Sequence, residues 1–409
     1  MAVGDNRFPD MPSIEGVRLG TAMAGIKKPG RRDLALIEIA EGASVAGTFT
    51  RNAFCAAPVH VAKAHLAEAV ASSQGVRYLV INTGNANAGT GDIGMRDARE
   101  TCSALARLGG VADCSVLPFS TGVIGESLPM DRLLAGLPAA LEALADDSDA
   151  WKLAAEGILT TDTRIKGASR RIELSSGVVT LNGITKGSGM IRPNMATMLG
   201  FVATDAGIEQ AVLEELLRAG VKRSFNSITV DSDTSTNDAC MLIATGKAAR
   251  VESEEDLKRF RAALDEVLIE LAQAIIRDGE GATKFVTLQV DGATNEDEAR
   301  EVAFTVAHSP LVKTALYASD ANWGRILAAV GRASVEDFDV DKVVIDLGGV
   351  RLVQNGGRAA SYTEEAGSAV MAREEIEIRI DLGRGDAAAT VWTSDLSHDY
   401  VSINADYRS

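Results

Sequence analysis

The sequence has little of what most catalytic and binding motifs are built from. Its four cysteines (Cys55, Cys102, Cys114 and Cys240) are scattered through 409 residues with no CxxC pair. That excludes a disulfide framework or a cysteine zinc site, and a reduced, cytoplasmic protein is the expectation. The four histidines (His60, His65, His308 and His398) have no ligand spacing. His60 and His65 are five apart, not the three or four that share one helix face. No stretch approaches ~18 consecutive apolar residues, so no membrane-spanning helix is expected. The N-terminal run MAVGDNRFPDMPSIEGVRLG has no basic region followed by an apolar one, so no signal peptide is expected. A basic surplus is missing too: 41 Lys and Arg face 57 Asp and Glu, a net charge of −16. Nucleic-acid binders rely on clustered cations, so that class is excluded. With 39 Gly and 9 Pro the chain holds an ordinary share of both, which rules out low complexity.

What is present reads as globular: 46% of residues are hydrophobic, and the length suits two or three domains or one large one. Helices are predicted over 59–72, 95–108, 130–144, 148–158, 207–221 and 252–277. The last opens at Ser253 with acidic residues in its first turn, a helix-start signal. Short apolar runs predict strands at 76–84, 115–121, 198–203, 240–245, 284–290, 341–347, 349–354, 374–382 and 387–393. The stretches 164–174 and 178–187 predict a hairpin closing at Ser175-Ser176-Gly177. There is no fixed-period repeat and no Gly/Pro/Ser-rich linker. The mixture indicates an α+β fold with mixed and antiparallel sheets layered with helices.

The most unusual stretch is KGSGMIRPNMATML, Lys186 to Leu199. One reading is a glycine-rich loop between strands. The other is a nucleophile at a strand's edge, with Thr197 behind the small Ala196 and a loop free to bend. A hydroxyl attacks poorly unless a base takes its proton, and no histidine here stands in a triad-like motif. A threonine at a chain's N-terminus carries its own base, an α-amine that titrates near ~7.7–8.0. That chemistry requires the Ala196–Thr197 bond to be cut. Two other runs invite a motif reading and fail it. GNANAGTG lacks the residues and order of a phosphate loop, and reads as an Asn/Gly-rich loop that shapes a site. VDSDTSTND, taken from Asp231, places Thr236 and Leu242 where a calcium loop needs Gly and Glu, so no metal is expected.

The run from Lys186 to Leu199 resembles the self-cleavage and active-site motif of the glutamate N-acetyltransferase (ornithine acetyltransferase) family of arginine biosynthesis. The likeness extends, in order, to INTGNANAG at 81–89, STGVIG at 120–125, TTDT at 160–163, VDSDTSTND at 230–238, DGEGATK at 278–284 and the terminal NADYRS at 404–409. It therefore spans essentially the whole chain. The resemblance implies a self-cleaving, N-terminal-nucleophile-type acyltransferase, cut into segments 1–196 and 197–409 that stay together as an α2β2 heterotetramer. Thr197 would take the acetyl group of N2-acetyl-L-ornithine and pass it to L-glutamate by a ping-pong route. Thr121 and Gly122 would form the oxyanion hole, a device whose donors are each worth ~10²–10³ in rate. Substrate contacts would fall on Thr160 or Thr161, Lys186, Thr197, Glu280, Asn404 and Ser409, the last being Thr in many relatives. Lys186 suits an α-carboxylate and Glu280 an ammonium group. No cofactor or metal is implied, and acetyl-CoA use divides the family. A related self-processed aminopeptidase or amidase, and a non-enzymatic acidic scaffold with an uncut chain, are the competing readings.

The acidic excess is unevenly spread. Residues 1–196 carry 20 basic and 20 acidic side chains, and residues 197–409 carry 21 and 37. The upstream segment is thus neutral, and only its lack of a basic surplus and of binding motifs excludes a nucleic-acid role there.

Overall fold

A computed structural model describes residues 2–5, 7–72, 74–192 and 198–405. Its centre is two stacked sheets. The first has four strands in the order Val17–Ala22, Leu34–Ile39, Tyr78–Asn85, Val116–Val123; the second has five, in the order Ser44–Phe49, Ala239–Ala244, Leu199–Thr204, Gly177–Lys186, Lys166–Leu174.

Leu199–Thr204 and Ala239–Ala244 are buried on both faces, which is why they read as unbroken hydrophobic runs. Alternate residues then serve different layers. Leu79, Ile81, Leu117 and Phe119 of one sheet meet Leu199, Phe201, Met241 and Ile243 of the other in a shared core. The Phe119 and Phe201 rings touch edge to face, with centroids 5.2 Å apart. Such a pair adds ~0.5–1.5 kcal/mol beyond its buried area.

The in-between residues face outward onto helices. Leu34, Leu36, Tyr78 and Val80 pack against the helices Ala57–Ala71, Gly91–Gly109 and Met130–Glu142. On the far side, Val202, Leu242 and Leu181 meet the helices Gln210–Arg223 and Glu254–Arg277. Ser253 caps the second of these, its hydroxyl accepting from the Asp256 N–H. The result is a helix–sheet–sheet–helix sandwich.

A third sheet of seven strands, running from Gly357–Arg358 at one edge to Ile228–Thr229 at the other, draws six of them from residues 285–394. Its strand Glu375–Asp381 alternates exposed and buried side chains, so helices cover one face only.

Most of the expected elements lie within a few residues of those observed, including the hairpin of Lys166–Leu174 and Gly177–Lys186. Four helices were not anticipated in the third-sheet region: Glu296–Ala307, Pro310–Tyr317, Trp323–Gly331 and Glu364–Met371. Neither were the first three strands. The expected cut between residues 196 and 197 would not separate two packing units. Leu199–Thr204 lies mid-sheet, between Gly177–Lys186 upstream and Ala239–Ala244 downstream.

Candidate active site

Strands Tyr78–Asn85 and Val116–Val123 run parallel and end together, with Gly84 opposite Gly122. Both glycines have positive φ, +100° and +135°, a region other residues enter only under strain. A Cβ on Gly122 would stand 2.2 Å from the Gly84 carbonyl carbon. The close approach of two backbones, not flexibility, therefore requires glycine at this turn.

Around it the polar side chains form a frame. Asn237 donates to the carbonyls of Ala86 (2.6 Å) and Ser120 (2.9 Å), tying both strand ends together. Ser120 donates to Asn82 at 2.5 Å, and Asn82 to the Asn85 carbonyl at 2.9 Å. The Asn/Gly-rich run thus shapes the turn with its own amides.

Lys186 ends its strand in register with Leu199, the first residue of the next. The loop joining them holds the candidate cleavage point. Pro193, Asn194, Met195, Ala196 and Thr197 lie outside the described residues, but Met198 and Leu199 line the cleft. The approach to that segment is held tightly. Met190 adopts φ +57°, a conformation that costs about 1–3 kcal/mol unless the surroundings impose it. Asp231 imposes it, accepting from the N–H groups of Met190 (2.6 Å) and Ile191 (2.7 Å). Thr229 and Val230 donate to the Ile191 carbonyl at 2.9 and 2.8 Å. Burial pushes the Asp231 carboxyl above its ordinary range. The Asp-rich run is therefore a loop anchor and cleft wall, and no group of metal-ligating side chains converges among the described residues.

The cleft encloses about 290 Å³. Its walls include Thr121, Gly122, Thr160, Thr161, Lys186, Glu280 and Asn404, drawn together from five separate parts of the chain. Ser409 lies outside the described residues. Lys186 Nζ donates to Thr121 Oγ1 at 3.2 Å, and both side chains are buried. A hydroxyl that accepts this bond still has its proton to donate. Glu280 accepts from Asn404 at 2.8 Å and lies flat against the loop, because Gly189 has no Cβ; one there would fall 2.3 Å from Glu280 Oε2. Within TTDT, Thr160 and Thr161 both face the cleft, whereas Thr163 donates to the Asp278 carboxylate behind it.

Sequence reading missed the charge cluster beneath the cleft. Asp162 accepts from Lys166 Nζ (2.6 Å), the Gly187 N–H (2.7 Å) and the Thr160 N–H (3.0 Å). Lys166 also reaches Asp278 at 2.6 Å, and all three side chains are almost fully buried. Burial alone would raise the Asp162 carboxyl. The ammonium groups of Lys166 and Lys186 outweigh that and hold it well below the usual carboxylate range. Burial pulls the Lys186 ammonium down, and Asp162 opposes the shift. Ser188 Oγ donates to the Asp278 carbonyl at 2.5 Å, and the Glu280 N–H to the Ser188 carbonyl at 3.0 Å. The cluster thus binds the TTDT turn, the Gly-Ser-Gly loop and the Asp-Gly-Glu turn into one floor. The acidic residue in a Thr-rich turn was the only sequence signal.

Comparison with known proteins follows this geometry. The profile of the ArgJ family matches residues 18–409. The arginine biosynthesis bifunctional protein ArgJ of Pseudomonas syringae pv. tomato is 57% identical over 414 residues, covering 100% of both chains. Its namesake in Methylococcus capsulatus is 58% identical over 400 residues, 97% of this chain and 96% of that one. Among solved structures, the arginine biosynthesis bifunctional protein ArgJ of Bacillus halodurans is 38% identical, with a TM-score of 0.48, covering 50% of this chain and 97% of its own. The ornithine acetyltransferase of Mycobacterium tuberculosis, complexed with ornithine, is 34% identical at a TM-score of 0.42, covering 46% and 96%. This chain belongs to the ArgJ family.

Proposed function

We propose that this chain transfers the acetyl group of N2-acetyl-L-ornithine to L-glutamate in arginine biosynthesis, and that it also acetylates glutamate from acetyl-CoA. The observation that carries the reading is the cleft. Thr121, Gly122, Lys186 and Glu280 line it together with Met198, the residue that follows Thr197. The name bifunctional borne by the relatives supports the second activity.

In this scheme the Thr197 hydroxyl attacks the Ala196 carbonyl. Water hydrolyses the resulting ester to free the Thr197 amine and the Ala196 carboxylate, and that amine then accepts the hydroxyl proton. The oxygen attacks the acetyl carbonyl, and Thr121 and Gly122 stabilise the oxyanion. The C–N bond then breaks, ornithine leaves with the proton, and an acetyl ester remains on Thr197. The amine of glutamate attacks that ester, and the threonine oxygen regains its proton. Lys186 offers a cation to an α-carboxylate and Glu280 an anion to an ammonium, a pair that suits one amino acid after another. Asn404, which lines the cleft, and Ser409 would add further substrate contacts. The route needs no metal or resident cofactor; acetyl-CoA enters as a co-substrate. The two segments stay associated in an α2β2 assembly in the cytoplasm; among the described residues no helix is long and apolar enough to cross a membrane.

Incubation with acetylornithine and glutamate tests the reading. Acetylglutamate and ornithine in equal amounts are expected; free acetate instead would mark an amidase. A single uncut band near 42.9 kDa on a denaturing gel would contradict self-cleavage.

A further inference from the structure

A second cavity of about 250 Å³ adjoins the first, and three cations, Lys27, Lys28 and Arg31, stand on its wall. The two cavities share Gly122, Val123, Thr160 and Thr161, so the turn that carries the candidate oxyanion hole is a wall of both. We propose that this cavity binds the phosphate-bearing end of an acyl thioester, acetyl-CoA, whose acetyl group reaches past Gly122 into the first cavity. The proposal rests on the acetyl-CoA activity proposed above and assigns it a site.

The three cations gather on one wall, Lys27 and Lys28 exposed and Arg31 half-buried. The upstream segment that supplies them is neutral overall and the whole chain carries −16, so a positive cavity is a local construction. Their loop is fixed to the catalytic turn. Lys27 packs on Gly84, where an added Cβ would meet the Lys27 Cβ at 2.8 Å. Arg132 donates to the Gly25 carbonyl at 2.8 Å, and Arg31 to the Leu159 carbonyl at 2.5 Å, next to the shared Thr160. The one acid on the wall, Asp33, is occupied, its two oxygens accepting from the N–H groups of Ala24 (2.7 Å) and Ile26 (2.6 Å). Among the described residues, neither Lys27 nor Lys28 has a hydrogen-bond or ion-pair partner for its ammonium.

The two acetyl donors differ in this respect. Acetylornithine is an amino acid that a cavity of about 290 Å³ accommodates alone. Acetyl-CoA is long and ends in phosphates, so it needs a second chamber with cations at the far side. Transfer from it follows the same course: the C–S bond breaks as the acetyl ester forms on Thr197, and the thiol leaves with the hydroxyl proton.

The test uses the full-length processed enzyme and a Lys27→Ala/Lys28→Ala double variant. Both lysines are exposed, and neither contributes to the acetylornithine cleft. The KM for acetyl-CoA should rise about tenfold or more, as expected for two lost charge-assisted phosphate contacts, and the wild-type KM should rise with salt. Acetylornithine–glutamate exchange should stay within about twofold, because alanine keeps the Lys27 Cβ that packs on Gly84 and neither lysine lines the acetylornithine cleft. The KM for the acetyl thioester of N-acetylcysteamine, which has no phosphate, should also be unchanged. An unaltered acetyl-CoA KM would overturn the site and leave the activity standing. An equal loss with acetylornithine would show a general carboxylate site and overturn it as well. Wild-type enzyme that exchanges acetylornithine but neither binds coenzyme A by calorimetry nor uses acetyl-CoA would overturn both the activity and the site.

Discussion

Replacing Asp162 by Asn probes the charge cluster beneath the cleft with a side chain of nearly the same shape. The change leaves Lys166 buried with one carboxylate, Asp278 at 2.6 Å, instead of two. Removing one partner of a buried pair costs ~3–5 kcal/mol; since Asp278 remains and the amide oxygen can still accept the Gly187 N–H, about 3 kcal/mol is expected. For domains of 150–250 residues that corresponds to ~2–4 °C per kcal/mol, and less for a longer chain, so the melting temperature should fall by about 5 °C. The sign of the pH dependence is fixed. The folded Asp162 carboxyl lies below its ordinary 3.8. Its contribution is therefore present above about pH 4 and lost as pH falls through the folded value. The gap between wild type and variant should be full near neutrality and shrink in acid. Lys186 also loses the charge that opposes its downward shift, so the alkaline limb of kcat/KM for glutamate should move to lower pH. Scanning calorimetry across pH, together with the pH–rate profile, measures both effects. Equal melting temperatures near neutrality, with superimposable pH profiles, would refute the idea that this cluster sets the charge of Lys186.

Three further outcomes are expected. Thr121→Val removes the hydroxyl that Lys186 orients at 3.2 Å and should lower kcat about 10²–10³-fold with little change in KM; Thr121→Ser should restore most of it, and an unchanged kcat in the valine variant would refute the oxyanion role. Asp231→Ala strips two backbone N–H groups of their acceptor and releases Met190 from φ +57°. Uncut precursor should therefore persist on a time-resolved denaturing gel, and wild-type processing rates would count against the anchor. Glu280→Gln keeps an acceptor for Asn404 but loses the charge that faces a substrate ammonium. Its KM for acetylornithine and glutamate should rise about 10–100-fold, the range of one charged hydrogen bond; initial-rate kinetics would expose an unaffected KM.

The centre of the fold was legible in part: apolar runs buried on both sides were expected as strands, whereas Val17–Ala22, Leu34–Ile39 and Ser44–Phe49 were not. Runs such as Tyr78–Asn85 and Leu199–Thr204 have almost no polar break, and length alone separates them from helices. The third-sheet helices were harder, since their apolar stripes are short and alanine-rich. Their starts were nonetheless written as caps: the side chains of Asn295, Ser309, Asn322 and Thr363 each accept from the N–H three residues on. In the site, Thr121, Gly122, Thr160 and Thr161 were named through the family resemblance alone, since Ser-Thr-Gly by itself reads as an ordinary turn. Asp162, Lys166 and Asp278 were hidden by distance, because Lys166 and Asp278 lie 112 residues apart and only the finished fold pairs them. Nothing in the sequence singles out Lys27 and Lys28; only the packing of Lys27 on Gly84 sets their loop against the candidate catalytic turn.

The central claim is that Thr197 is freed by self-cleavage and carries the acetyl group. Intact-mass measurement of the enzyme mixed with acetylornithine, without glutamate, tests it directly. Two fragments are predicted, with one added acetyl on the fragment that begins at Thr197, and the acetyl should disappear when glutamate is supplied. An uncut chain, or an acetyl that appears on neither fragment, would contradict the account.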